Sequence, residues 1–167
     1  VISLTRKSPS NIKFILSNKK NAKGLKFSKN FNIESKIYNF KKQSSTENII
    51  LKDLKKRKIK LICLAGFMRI LSKTFIKKFK YKILNIHPSL LPKYKGLNTH
   101  KRVIENKEKF TGCTVHYVNS KLDSGRIILQ KKVRINKKDK PSSLAKKVLK
   151  EEHALYPKAI KKIYSNL

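Results

Sequence analysis

The sequence is poor in acid, in cysteine and in long apolar runs. Nine aspartates and glutamates stand against 43 lysines and arginines in 167 residues, a formal net charge of +34. A sequence pI near 10.4 ordinarily points to nucleic acid or an anionic membrane as partner. Two features count against that. Arginine, the residue that grips guanine and phosphate with two parallel hydrogen bonds, is sparse, and the positive charge runs from end to end without a basic tail. The lysines read chiefly as solvated surface in the residue usage of an AT-rich coding sequence, with help in attracting anionic substrates as a second reading, and no specific nucleic acid is expected. The two cysteines, Cys63 and Cys113, lie inside the apolar stretches LICLAG and TGCTVHY. That spacing excludes a disulfide framework or a cysteine metal cluster and leaves buried, reduced thiols. No apolar run is long enough to cross a bilayer and no signal peptide is evident, so a cytoplasmic location without membrane contact is expected. The chain begins at Val1 without a methionine, as a fragment would.

What is present is an alternation of short strands and helices in a chain long enough for one core, burying roughly two thirds of its unfolded surface. NIKFILS, at residues 11 to 17, and SKIYNF, at 35 to 40, read as strands with a weak helix, NAKGLKFSKNF, between them. Start signals and helical apolar spacing place a helix over about 46 to 57. KLICLAG, at 60 to 66, is apolar on both faces and is expected to be a central strand covered on both sides. LSKTFIKKF is a short helix, YKILNI the next strand and THKRVIENKE another helix, followed by two long strands, TGCTVHYVN and GRIILQKKVRI, joined through SKLDSG. A closing helix from PSSLAKK onward is expected to be interrupted or reoriented near Pro157. The fold class is therefore α/β: three layers, with a mostly parallel sheet flanked by helices, in a single domain over residues 1–167. Such sheets bind ligands beyond the carboxyl ends of their strands.

That is where LNIHPSLLPKYKG falls. Asn85 and His87 alternate along a strand, so their side chains leave the same face. Pro88 and Pro92 stiffen the loop that follows. A buried, hydrogen-bonded pair serving only the core would look similar. Asp123, in KLDSG, either closes an Asx-turn or completes a set of three with Asn85 and His87. An amide that donates to an oxyanion, an imidazole and a carboxylate that orients it suit acyl transfer to a nucleophile carried by the substrate.

LAGFMRILS, LNIHPSLLPKYKGLNTH, TGCTVHYV, LDSGRIILQ and EEHALYP, in this order from about residue 14 to 160, resemble the phosphoribosylglycinamide formyltransferases of purine synthesis. The resemblance implies a formyltransferase fold of Rossmann-like type and transfer of a formyl group from 10-formyltetrahydrofolate to the amine of glycinamide ribonucleotide. It implies no metal. It makes Asn85, His87 and Asp123 catalytic. Met68, Arg69, Ile70 and Leu71, with Asn85 and the connection Val118, Asn119, Ser120, Lys121, Leu122 and Asp123, would hold the folate, and Glu152 would contact the glycinamide, whereas as an isolated glutamate on a helix it reads as solvated surface. His116, His100 and His153 would support the site, with Lys93, Tyr94 and Gly96 shaping the loop. A monomer or weak homodimer is expected. Among relatives, methionyl-tRNA formyltransferases usually continue the proline loop differently and carry an added domain. Formyltetrahydrofolate hydrolases generally replace the residue at Pro88.

The family normally opens with an apolar strand and a Gly-rich loop that holds the substrate phosphate. VISLTRKSPSN has no such glycines and resembles the end of the first helix. An unpaired apolar sheet edge, weak turnover by this chain and restored turnover in a longer parent are expected. Ser124 and Arg126 around Gly125, and Asn98, also depart from the usual pattern. The rival readings are a formyltetrahydrofolate hydrolase or other folate-dependent formyltransferase, an inactive folate-binding fragment, and a basic protein that associates with RNA.

Overall fold

Short strands and helices alternate along residues 12–164, which the computed structural model describes. The order is β1 (Phe14–Ser17), α1 (Gly24–Asn30), β2 (Glu34–Ile37), α2 (Gln43–Lys56), β3 (Leu61–Leu64), α3 (Lys73–Lys78), β4 (Lys82–His87), α4 (Thr99–Glu105), β5 (Phe110–Tyr117), β6 (Ile127–Arg134) and α5 (Pro141–Tyr164). The expectations for VISLTRKSPSN lie outside the described residues.

Period-two alternation in β4 builds the layers. Leu84 and Ile86 point to one face, where they join Val148, Leu155 and Ile160 of α5. Ile83 points to the other and joins Phe75 and Phe79 with Ile50 and Leu54 of α2. Leu84, fully buried, contributes about 1.5–3 kcal/mol from its removal from water. Helices on both faces of a sheet make this the expected three-layer α/β fold.

The strand pairing is mixed. β3 and β4 are parallel, whereas β4 with β5 and β5 with β6 are antiparallel. β1 and β2 form a separate parallel pair. The strand LICL, expected at the centre, lies at the edge of the four-stranded sheet. Among the described residues β3 is paired on one side only, which is why all four of its apolar residues are half-buried rather than buried. The closing helix corrects a second expectation: α5 runs unbroken through Pro157. Proline removes one backbone donor there, but Leu155, Tyr156, Ala159, Ile160 and Ile163 on either side are all buried, and that packing carries the helix across.

Both cysteines are free. Burial pushes the Cys63 and Cys113 thiols up to about 12, so neither is a thiolate at neutral pH.

Candidate active site

Asn85 and His87 end β4 on the face opposite Leu84 and Ile86, and β5 runs antiparallel beside them, with His116 opposite Asn85 and Thr114 opposite His87. The register places a second imidazole next to the amide: Asn85 Nδ2 lies 3.4 Å from His116 Nε2. His116 Nδ1 is 2.8 Å from the Tyr117 carbonyl. A carbonyl only accepts, so Nδ1 carries the hydrogen, and Nε2 lies between the Asn85 amide and the Asp123 carboxylate.

The loop from Pro88 to Leu97 folds back over His87 because its polar groups have fixed partners. Thr114 Oγ1 donates to the Ser89 carbonyl at 2.7 Å and accepts from Leu91 N at 3.1 Å. Ser89 Oγ donates to the Lys93 carbonyl at 2.7 Å. The Tyr94 hydroxyl donates to Glu108 at 2.9 Å, and Arg102 reaches the Lys95 carbonyl at 2.7 Å. Anchored this way, the Tyr94 carbonyl accepts from His87 Nε2 at 2.8 Å. Tyr94 has a positive φ of 56°, a region that L-residues adopt only when their surroundings hold them there.

Asp123 comes from the β5–β6 connection, with a positive φ of 44° that aspartate tolerates better than most residues. Its Oδ2 is 3.3 Å from His87 Nδ1 and accepts from Gly96 N at 2.9 Å, and Oδ1 is 3.7 Å from His116 Nε2. The side chain is 8% exposed. Burial alone would raise its carboxyl. The His116 ring, the Gly96 N–H and the nearby His87 outweigh that and hold it below the usual carboxylate value. Both nitrogens of His87 thus face acceptors, and the doubly protonated ring satisfies both at once. The amide of Asn85 keeps one N–H beyond its His116 contact.

The expected folate-binding residues divide. The segment after β3 leaves Leu64, which is paired with Asn85, and turns at Gly66, whose φ is 63°. Met68 and Ile70, close in sequence on this segment, are 72% and 61% exposed, and Leu122 on the β5–β6 connection is 49% exposed. Leu71 is only 7% exposed and packs into the α2–α3 core, so its side chain belongs to the scaffold and only its backbone is left to serve a ligand. The Arg69 guanidinium lies 5.4 Å from the centre of the Phe40 ring. Val118 donates to the Ile83 carbonyl at 2.8 Å and packs on the core, while Asn119, Ser120 and Lys121 lie on the connection that leaves β5.

Glu152 is not the solvated glutamate that its sequence context suggests. It lies one turn from Val148 and one from Tyr156, both buried and on the sheet-facing stripe of α5, and the Tyr156 hydroxyl donates to the Leu64 and Leu84 carbonyls at 2.8 and 3.2 Å. Burial lifts the Glu152 carboxyl to about 7. It makes none of the hydrogen bonds that join Asn85, His87, His116 and Asp123. His100 has a buried Nδ1 without a hydrogen-bond partner among the described residues; burial, then the neighbouring His87, lowers its pKa. The Tyr94 carbonyl and the Gly96 N–H, which hold His87 and Asp123, are backbone groups with no signature in residue type. Only the positive-φ pattern of KYKG could have marked them.

An amide, two imidazoles and a carboxylate gathered at the end of one strand of an α/β sheet form a polar cluster of the kind that suits acyl transfer. The family model described as Formyl transferase matches residues 2–160, and the chain belongs to that family. Within it, the chain is similar to phosphoribosylglycinamide formyltransferases. That of Haemophilus influenzae is 41% identical over 156 residues, covering 92% of this chain and 74% of its own. A trifunctional purine biosynthetic protein of Chironomus tentans is 42% identical over 159 residues, covering 93% of this chain and 12% of its own. The crystal structure of the Brucella melitensis phosphoribosylglycinamide formyltransferase matches at a TM-score of 0.90 and 39% identity, across 98% of this chain and 86% of that one. The chain thus spans a small part of the trifunctional relatives it matches, 12% in the first of them. No helix among the described residues is long and apolar enough to cross a membrane.

Proposed function

We propose that this chain carries a phosphoribosylglycinamide formyltransferase activity, moving a formyl group from 10-formyltetrahydrofolate to the amine of glycinamide ribonucleotide in purine biosynthesis. The observation that supports it most is the contact of His87 Nδ1 with Asp123 Oδ2 at 3.3 Å, near the Asn85 amide, with Met68 and Ile70 as an exposed apolar lip on the segment that follows Leu64, the strand partner of Asn85. Both substrates are small molecules, and family membership and the names of the relatives point the same way.

The substrate amine attacks the formyl carbon. A new C–N bond forms, the bond from that carbon to the folate nitrogen breaks, and one proton passes from the amine to the departing nitrogen. Asn85 donates its free N–H to the oxyanion that develops on the formyl oxygen. His87, fixed by Tyr94 and Asp123, supplies positive charge about 6–7 Å along the strand from Asn85. Asp123, held ionised, takes the amine proton and returns it. Met68, Ile70 and Leu122 cover the ring of the folate, with backbone groups of the 68–71 segment as its polar partners. Glu152 receives the glycinamide end of the other substrate. A monomeric or weakly dimeric cytoplasmic enzyme without specific nucleic-acid binding fits this reading.

The test mixes the protein with both substrates and follows deformylated folate. Turnover that requires the ribonucleotide and falls in H87A supports transfer. Turnover without the ribonucleotide would make the protein a hydrolase and overturn the proposal.

A further inference from the structure

The carboxylate of Glu47 is 3% exposed, yet in a chain with 43 lysines and arginines no ion pair among the described residues reaches it. Its partners are neutral donors. Ser72 N donates to Oε1 at 2.9 Å, Ser72 Oγ donates to Oε2, and Gln43 Nε2 donates to Oε1 at 2.9 Å. The same Gln43 nitrogen donates to the Ile70 carbonyl at 2.9 Å. Ser72, its hydroxyl hydrogen directed to Glu47, uses that oxygen to accept from Phe75 N at 3.0 Å and so caps α3. A buried carboxylate without a counter-ion is costly unless donors surround it. Here every donor comes either from its own helix or from the chain just after residues 68–71.

We propose that Glu47 is a positioning residue for the 68–71 segment, acting through Gln43 and Ser72 as a clamp that holds the apolar lip in its binding geometry. The inference rests on the reading of that lip as the folate-binding wall. The geometry accounts for an otherwise awkward arrangement: the Ile70 side chain is 61% exposed while its carbonyl is tied back to α2, and Leu71, next along, is buried. With the Ile70 carbonyl tied to α2 and the α3 cap fixed, Met68 and Ile70 stand outward. Clamping a loop to a rigid helix before the ligand arrives removes the ordering cost from binding. The specific consequence is for the formyl donor, since the clamp touches neither Asn85, His87 nor Asp123.

Three variants test this: E47Q, which replaces an all-acceptor group with a half-donor; Q43A, which cuts the strap to Ile70 and leaves the buried carboxylate in place; and S45A, on the same helical turn but outside the clamp, as control. Hydrogen exchange on the ligand-free protein should show residues 68–72 exchanging about tenfold faster in E47Q, with a smaller gain near residue 70 in Q43A and none in S45A. In turnover, the KM for 10-formyltetrahydrofolate should rise about tenfold in E47Q and less in Q43A, with the KM for the ribonucleotide moving less than about twofold. Unchanged exchange at 68–72 in both E47Q and Q43A overturns the clamp, as do equal rises in both KM values, which report general loosening. If E47Q fails to fold, exchange near residue 70 and the two KM values in Q43A decide in the same way. Wild-type protein that neither binds nor consumes the formyl folate sinks the reading of the lip, while the exchange measurement still decides whether Glu47 holds it.

Discussion

His87 Nδ1 and Asp123 Oδ2 lie 3.3 Å apart although one ends β4 and the other sits in the β5–β6 connection. Two loops converge to make the contact, and the Gly96 N–H, donating to the same Asp123 oxygen at 2.9 Å, joins them. The carboxylate is thereby a structural link as well as the acceptor facing the imidazole.

D123N keeps the size of the side chain and removes its charge. Formyl transfer should fall at least about a hundredfold, in the range expected for loss of a proton-transfer group. Because the folded Asp123 carboxyl lies below its ordinary value, it stabilises the fold above the unfolded value of about 3.9 and loses that contribution as pH falls through the lower folded value. The stability difference between wild type and D123N, from chemical denaturation at a series of pH values, should therefore be constant near neutrality and shrink below about pH 4. A difference that grows on acidification would contradict the assignment.

N85A removes the amide donor from the strand end. The expected loss in kcat is on the order of a hundredfold or more, with a small change in either KM, since an oxyanion exists only after attack. Asn85 also donates toward His116 at 3.4 Å, so N85D, which keeps the shape and loses the donor, separates catalysis from packing. Recovery of activity in N85D would rule out the amide as oxyanion donor.

The α/β class and the shared placement of Asn85 and His87 were legible because each rests on local pattern: period-two strands, helical spacing, and two polar residues two positions apart ahead of a proline-held loop. Position in the sheet was not. LICL is apolar at all four positions whether it is central or at an edge, and only its neighbours decide. Pro157 misled for a related reason, because a missing donor marks a helix end only where packing on both sides is too weak to continue it. Glu152, taken alone on its helix, reads as a surface acid, since burial of one glutamate depends on which helix face meets the sheet. Asp123 was legible as a turn residue, and its approach to His87 needed the αL backbone and Gly96, which residue type does not specify.

Gly125 bears on the site from two residues beyond Asp123. A Cβ there would sit 1.7 Å from the Tyr117 carbonyl oxygen, so G125A forces the β5–β6 connection away from β5. The thermal unfolding midpoint should drop by several degrees, consistent with a loss of about 1–3 kcal/mol from overpacking against backbone. Activity should fall more steeply than stability, because the displaced segment carries Asp123. G125A protein that is folded at assay temperature and fully active would show that the position of Asp123 is set elsewhere.

Glu152 gives the sharpest pH signature. Its carboxyl is lifted to about 7 by burial, so between about pH 4.3 and 7 the folded protein holds a proton that the unfolded chain has released. Stability from this group falls as pH rises through that window, by up to roughly 3 kcal/mol for a shift of this size, and is level above it. E152Q is neutral throughout. It should match the wild type near pH 4 and exceed it in denaturant midpoint at pH 8, while the KM for glycinamide ribonucleotide rises about tenfold through loss of a charged hydrogen-bond partner. Those two results separate the roles: a stability gain with an unchanged KM would leave Glu152 as a buried acid outside the substrate site, and a flat stability difference across about pH 4 to 8 would mean that burial does not hold its proton.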